Sequence, residues 1–259
     1  MKNSYFLVAV FFLCSTGLFS ESRFQHPVMI HAGDIYGKIK IDYDHREQRD
    51  IDVFERKRSL AAEIEYSFLN YFSCSLRGGY YYRDKTDTER QSNPERILVG
   101  LKGSYFFIEK KILVGGFLNI HSAQSKIPPQ EGENSEFFRL EGGASLGLVT
   151  GDFQFLSNFI FQTESNFQFK EKYGQQFRRH YQIDMGVAYM RFRPFLLHLE
   201  SSYREPYNKK IDTGTRFWYL YPGVSGVIGG YGTISVAMQI SVLNKKREKG
   251  GRVSFLIIQ

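Results

Sequence analysis

Beyond its first twenty residues, the sequence lacks an apolar run long enough to cross a membrane as a helix, which takes roughly 20 apolar residues. It also has little cysteine: only Cys74 lies outside the N-terminal apolar stretch, so no intrachain disulfide is available to the rest of the chain. His, Cys and carboxylate clusters with zinc spacing are missing, and so is an EF-hand loop. The sequence therefore predicts no cofactor.

The N-terminus has the pattern of a secretory signal peptide. A single lysine precedes a short apolar stretch, and small and polar residues follow as far as Ser20. We expect cleavage after Ser20, which makes 1–20 the signal peptide and 21–32 a periplasmic N-terminal segment. The alternative, lipid modification of Cys14, is disfavoured by the bulky Leu13 before it.

From residue 33 to the end of the chain, apolar and polar residues alternate. Ile39 and Ile41 share one parity, Lys38 and Lys40 share the other, and a β-strand places these two sets on opposite faces. The pattern repeats in twelve segments. We predict strands near 33–44, 55–69, 71–84, 95–108, 111–122, 136–149, 152–164, 177–190, 194–204, 215–228, 231–243 and 251–259.

The joins between these segments are short and long in turn. Those after even-numbered strands, as at Asn70, suit tight hairpins. The others are longer and rich in turn residues and charge: 45–54, 85–94, 123–135, 165–176, 205–214 and 244–250. Short periplasmic turns and longer extracellular loops are typical of a transmembrane β-barrel in the outer membrane of a Gram-negative-type envelope. We therefore predict an all-β, antiparallel up-and-down barrel of twelve strands over 33–259.

Parity also assigns the two faces of the predicted barrel. The lipid-facing set is apolar and almost free of charge, as expected where a midplane charge costs about 2–4 kcal/mol. A soluble twelve-stranded sandwich would also hide one face, but here the apolar face continues around all the hairpins with tyrosines near its edges, which favours the barrel. The charges that fall on the lumen face are Lys38, Lys40, Glu63, Glu65, Arg77, Lys102, Arg139, Glu141, Asp184 and Glu200.

The last residues carry a family resemblance. Lys249, Gly251, Val253 and Phe255 alternate in a way that resembles the assembly signal of the bacterial outer-membrane β-barrel superfamily, porin-like in the broad sense. Most of the mature chain is similar to that superfamily. The resemblance implies outer-membrane lipid, lipopolysaccharide and the outer-membrane assembly machinery as partners. The chain departs from the usual aromatic end by continuing to Gln259.

The net charge of +7 raises the question of nucleic acid. The basic residues are spread along the chain among Asp and Glu, however, and only 245–249 forms a dense cluster. We therefore predict no nucleic-acid binding. Basic loops facing an anionic lipopolysaccharide leaflet are the better electrostatic match.

Two histidines are candidates for a hydrolase centre. His121 and Ser122 are adjacent, which sends their side chains to opposite faces of a strand. His198, Glu200 and Ser202 share one face but lack the spacing of a nucleophile and its base. We predict that the protein is not an enzyme.

The predicted lumen leaves the function between two classes. A passive channel for small polar or anionic solutes is the first, with the lumen Lys and Arg favouring anions and Glu63, Glu65, Glu141 and Asp184 forming an opposing arc. The alternative is a structural or adhesive surface barrel whose lumen is closed by ion pairs. A barrel lipid hydrolase is the least favoured.

Overall fold

The structure is a computed structural model, and it describes residues 37–49, 54–69, 71–85, 89–94, 97–108, 111–122, 138–165, 177–192, 194–207, 216–228, 232–243 and 247–258. The predicted signal peptide 1–20 and the predicted periplasmic segment 21–32 lie outside these residues. No helix among the described residues is long and apolar enough to cross a membrane.

The described chain consists of β-strands and their connections. The strands are β1 Gly37–Arg49, β2 Phe54–Leu69, β3 Phe72–Lys85, β4 Glu89–Pro94, β5 Leu98–Phe107, β6 Ile112–His121, β7 Phe138–Thr150, β8 Phe153–Ser165, β9 Phe177–Tyr189, β10 Phe195–Pro206, β11 Phe217–Ile228, β12 Gly232–Ser241 and β13 Arg247–Ile258. Each forms from a segment that alternates apolar and polar side chains, so that one face can contact lipid and the other the interior.

All the strands belong to one antiparallel sheet that closes on itself. The first and last strands, β1 and β13, pair along their whole length, from Lys38 opposite Ile258 to Arg49 opposite Arg247. Pairing of β2 with β3 completes the ring. The start of β1 and the end of β13 lie side by side at the rim that carries the short turns, so both ends of the barrel segment lie on that side.

β4 and β5 share one position in the barrel, next to β3. The half of β3 nearer the long loops, from Tyr80 onward, pairs with β4. The half nearer the short turns, up to Arg77, pairs with β5. The thirteen strands thus fill twelve positions, and the predicted twelve-stranded barrel is confirmed. In the interval between the two pairings, Gly79 allows a close approach: a Cβ there would lie 2.3 Å from the carbonyl oxygen of Leu60.

Three of the predicted long joins are wrong in extent. β4 occupies most of 85–94, β1 and β2 reach into 45–54, and β13 begins inside 244–250. These stretches are charged, so they show no apolar alternation, and sequence periodicity assigns them to loops. They pair as strands above the apolar belt, where cross-strand ion pairs such as Arg56 with Glu47 at 3.0 Å support the ladder. The other predicted loops, 123–135, 165–176 and 205–214, lie largely outside the described residues.

The tight turn between β7 and β8 shows how the short rim is built. Thr150 pairs with Phe153, which leaves Gly151 and Asp152 as a two-residue loop. Gly151 has a φ of 56°. Two-residue hairpin turns need positive φ in the loop, which glycine adopts without steric cost.

The outward face is an apolar belt with aromatic residues at both rims. Exposed side chains along it include Ile64, Leu101, Met185 and Val236. None of the residues predicted to face lipid is buried: Ala62, Ile64, Tyr66, Phe68, Ile97, Val99, Leu101, Tyr105, Phe107, Ile112, Val114, Leu118, Ile120, Tyr181, Ile183, Met185, Val187, Tyr189, Ile234, Val236, Met238, Ile240 and Val242. An exposed apolar belt of this extent on a closed barrel is the surface that contacts membrane lipid.

The aromatic residues gather at the two rims of the belt. At the short-turn rim, Tyr71 lies 5.3 Å from Tyr105 and Phe153 lies 4.9 Å from Tyr189 between ring centroids. At the loop rim, the Tyr203 ring lies 6.4 Å from that of Trp218. Two such girdles mark the two membrane interfaces.

The apolar belt predicts that a charged substitution on the outward face destabilises the barrel more in the middle of the belt than at its rim. Val236 lies in the middle of β12, opposite Val224 and Val253, whereas Val242 lies just beyond the end of the strand. We expect Val236→Arg to lower the free energy of unfolding by about 2–4 kcal/mol and Val242→Arg by about 0–1 kcal/mol. Denaturant titration of barrels folded in phospholipid vesicles measures both. Equal costs at the two positions would contradict the assignment of the belt.

Candidate functional site

Four neighbouring strands, β1, β2, β3 and β5, carry most of the predicted lumen charges. We call this group the charged wall: Lys38, Lys40, Asp42, Glu63, Glu65, Arg77 and Lys102. Alternation places them all on the inner face, and all but Arg77 are buried. The strand register then places opposite charges side by side, because Lys40 lies opposite Glu63 and Glu63 lies opposite Arg77. Glu63 of β2 therefore lies between a lysine of β1 and an arginine of β3.

Glu65 is the centre of the charged wall. One of its carboxylate oxygens lies 2.7 Å from the Lys38 ammonium and 2.7 Å from that of Lys102, and the other accepts a hydrogen bond from the Ser73 hydroxyl at 2.8 Å. Glu63 adds longer contacts to both lysines, at 3.7 and 3.5 Å. Lys38 is thus neutralised by carboxylates of the adjoining strand β2, and Lys102 of β5 by the same carboxylates across β3.

Two aspartates of β1 extend this network toward the loop rim. Asp42 accepts a hydrogen bond from Arg77 at 3.0 Å and lies 3.4 Å from the Lys40 ammonium. Asp44 binds the Arg252 guanidinium with both oxygens, at 2.5 and 2.9 Å. This two-point contact joins β1 to β13, so the network reaches across the seam where the barrel closes.

A second group of charges lies on β6, β7 and β8. Arg139 lies 2.7 Å from Glu164 and 3.7 Å from Glu141. The Glu141 carboxylate, which is fully buried, also lies 3.1 Å from the Nε2 atom of His121. Arg139 lies opposite Glu164 in the register, which explains their contact, and His121 lies opposite Arg139 on the other side.

A third group lies on β9 and β10 and is mostly uncharged. The hydroxyl of Ser202 donates to Asp184 at 2.6 Å, and the amide of Gln182 donates to the same carboxylate at 2.9 Å. Glu200 lies 3.4 Å from the Nδ1 atom of His198. This wall faces the charged wall, since β9 lies six positions from β2 around the ring.

All ten predicted lumen charges therefore lie on the inner side of the strands, but not as two facing arcs. Glu63, Glu65 and Glu141 each contact a base on their own or an adjoining strand, rather than facing bases across the lumen. The physical reason is register: acids and bases alternate between neighbouring strands, where a few ångströms separate them. The prediction of opposing basic and acidic arcs is wrong.

Sequence reasoning missed several interior residues. The ion pair of Asp44 with Arg252 joins residues 208 positions apart, so it cannot be predicted without knowing the strand register. The interior also holds an apolar cluster of Leu113, Phe117 and Ile160, which the list of predicted lumen charges does not include. Phe117 lies over Gly143, at which a Cβ would come within 2.6 Å of the ring. A scan for inward-parity apolar residues would have found this cluster.

The histidines considered for catalysis lie as their parity predicts. The His121 side chain points inward to Glu141, whereas the Ser122 hydroxyl accepts a hydrogen bond from the Ile97 amide at 3.1 Å on an exposed edge. His198 and Glu200 contact each other without Ser202. Among the described residues, no three His, Cys, Asp or Glu side chains are grouped to hold a metal ion.

The absence of catalysis stays a prediction that one assay tests. We expect refolded protein to show no hydrolysis of phospholipid or lipid A, with or without calcium. The readout is release of free fatty acid, and His121→Ala and His198→Ala serve as variants. Turnover that either substitution abolishes would establish a hydrolase.

The contacts of the charged wall predict that removing the Glu65 carboxylate destabilises the barrel more than removing the Lys102 ammonium. Glu65→Gln leaves Lys38 and Lys102 buried near each other, so we expect a loss of about 3–5 kcal/mol in the free energy of unfolding. Lys102→Met leaves Glu65 paired with Lys38 and should cost clearly less. Leu101→Met, on the outward face of the same strand, should cost under about 1.5 kcal/mol. Denaturant titration in vesicles gives all three values, and a costlier Lys102→Met would refute this account of the network.

Comparisons of the sequence with protein-family models and with curated proteins give no match. Solved structures share the fold. An outer membrane channel from Pseudomonas putida F1 is similar at a TM-score of 0.62 and 8% identity, over 90% of this chain and 97% of that one. The translocator domain of the Neisseria meningitidis autotransporter NalP is similar at 0.52 and 11%, over 98% and 97% of the two chains.

The β domain of the Bordetella autotransporter Brka has a TM-score of 0.52 at 9% identity, over 86% of this chain and 99% of that one. At such identities the likeness concerns the fold. It agrees with the closed twelve-position barrel and confirms the predicted outer-membrane type of barrel fold. The chain has the fold of the bacterial outer-membrane β-barrels.

Proposed function

We propose that the protein is a passive outer-membrane channel for small polar or anionic solutes. One observation carries the proposal: the inner face of the closed barrel bears charged or hydrogen-bonding side chains on strands all round the ring, from Lys38 and Glu65 to Asn158, Asp184 and Gln239. A barrel lined in this way lowers the cost of moving a polar solute across the membrane. No bound group is needed for such movement.

The pairing of charges supports weak ion selectivity. The acids of the charged wall neutralise its bases at close range, which reduces the field that a passing ion meets. The loop-side end is different, because Lys57 of β2 lies in register between Arg46 of β1 and Arg83 of β3. A row of three basic positions there favours the entry of anions.

The rival function is a structural or adhesive surface barrel with a closed lumen. Burial favours it, since Lys40 and Glu141 have no solvent exposure and Lys38 has 2%. Twelve strands lie between small barrels filled by side chains and wide porins that hold water. Under this proposal the loops bind a partner and the interior serves stability alone.

Conductance in planar bilayers separates the two. For a channel we expect discrete current steps and, in a salt gradient, a reversal potential whose sign shows modest selectivity for anions. Lys57→Glu should reduce the anion selectivity. Arg58→Glu makes the same charge change one residue along, on the opposite face of the strand, and should leave the selectivity unchanged. A silent bilayer with correctly folded protein would instead establish the closed barrel.

Deletion of 124–134, which lies outside the described residues, tests the rival directly. If the barrel is an adhesin, the deletion abolishes partner binding and leaves any conductance nearly unchanged. A deletion that alters conductance alone counts against adhesion.

A further inference from the structure

The inner face of the barrel changes character toward the short-turn rim, where apolar side chains line it. We call this part of the inner face the apolar end: Phe106, Leu113, Val149, Leu156, Leu196 and Leu256. Each lies close to a short turn or, for Leu256, close to the end of β13 at the same rim. These residues point inward, because neighbours of opposite parity, such as Val114, Leu148 and Phe155, are exposed on the outward face.

A glycine of β7 lets apolar side chains of its two neighbouring strands meet. Leu113 of β6 and Leu156 of β8 lie opposite Gly147 from its two sides. Since glycine has no side chain, the two leucines can close over β7 and pack in one cluster. Leu113 accordingly has no solvent exposure, although it lies on the inner face of the ring.

Three residues form the surface that this cluster turns toward the lumen. Phe106, Val149 and Leu156 are half-buried and pack against the buried apolar members of the cluster. Further round the ring, Leu196 of β10 and Leu256 of β13 are buried at the same rim. Apolar side chains thus occupy the short-turn end of the lumen on β5 to β8, on β10 and on β13.

The charged wall reaches this end of the lumen with a neutralised charge. Lys38, the second residue of β1, lies 2.7 Å from Glu65 and 3.7 Å from Glu63. The loop side differs, because the row of three basic positions that contains Lys57 lies there. An anion that enters from the loop side therefore meets basic positions first and reaches the apolar end last.

An apolar stretch of a narrow lumen discriminates between ions by their hydration. Apolar side chains offer no hydrogen bonds, so water is held weakly beside them and an ion that passes loses part of its hydration shell. The cost in free energy is larger for an ion that binds water strongly. Fluoride binds water strongly and thiocyanate binds it weakly, whereas the mobilities of the two anions in bulk water are similar.

We propose that the apolar end selects among anions by their hydration, so that weakly hydrated anions pass and strongly hydrated anions are held back. The inference rests on the channel function proposed above, and it names the class of anion that the channel admits. The basic row on the loop side favours anions over cations. The apolar end then ranks the anions.

Reversal potentials in planar bilayers measure this ranking. Refolded protein is inserted between potassium thiocyanate on one side and potassium fluoride on the other at neutral pH, and each salt is also paired with potassium chloride. We expect thiocyanate to be at least about threefold more permeant than fluoride, with chloride between them. In a wide aqueous pore the permeabilities would follow the similar mobilities of the ions in water. A bilayer without protein controls for leakage of thiocyanate through the lipid.

Three variants separate polarity from size. Val149→Thr combined with Leu156→Asn keeps the side-chain volumes nearly constant but makes the lumen surface polar, so the ratio of thiocyanate to fluoride permeability should fall toward that of an aqueous pore. Leu156→Ala removes volume and leaves the surface apolar, so it should raise the conductance and keep the order of the anions. Val242→Thr repeats one of these changes on the outward face and is the matched control, which should leave the ratio unchanged.

Loss of the fast-migrating band in unboiled gels identifies any variant that fails to fold. If that happens to the double variant, the single Val149→Thr variant replaces it, with a smaller expected change. Permeabilities of the parent protein that follow the mobilities in water would overturn the inference and leave the channel function standing. An unchanged ratio in the folded polar variant would also overturn it. A silent bilayer with folded protein would overturn the channel function, and the inference with it.

Discussion

Closure of the sheet is the constraint on which the rest of the structure depends. In hydrocarbon no water satisfies backbone N–H and C=O groups, so a sheet crosses a membrane only when it has no free edge. The pairing of β1 with β13 removes that edge along twelve residue pairs, from Lys38 to Arg49. The ion pair of Arg252 with Asp44 lies on the same seam. An ion pair inside the barrel thus joins the same two strands whose backbone pairing closes the sheet.

Once the sheet is closed, alternation forces two different environments on neighbouring residues of one strand. Ile39 and Ile41 are exposed on the outward face, while Lys38 and Lys40, which alternate with them, are buried inside, where their charges must be neutralised. Register supplies partners by placing Glu65 opposite Lys38 and Glu63 opposite Lys40. The cost of burying charge is therefore offset locally, strand by strand, and this is why facing arcs of opposite charge do not form.

The sequence predicts those features that depend on period two and fails where register decides. Residues 62–67 alternate between apolar and polar without exception, so both faces of β2 are correctly predicted there. The stretches 45–49 and 89–94 have no apolar alternation, so they are taken for loops although they are strands. In the candidate site, the inward position of Glu65 follows from parity, but its contact with Lys102 does not. That contact depends on how β2, β3 and β5 are aligned, which a single sequence does not encode locally.

The arginines of this barrel show how position decides what one residue type does. Arg252 and Arg77 lie inside and are bound to aspartates of β1, where their charge closes the network. Arg216 lies outside, 53% exposed, on a tyrosine ring at the loop rim. The first two have carboxylates within hydrogen-bond distance, so their donors are directed into the fold. Among the described residues, Arg216 contacts a carboxylate at 3.9 Å, and two tyrosine hydroxyls already donate hydrogen bonds to that carboxylate. The same residue type therefore joins an interior ion-pair network at two positions and packs on an aromatic ring at the third.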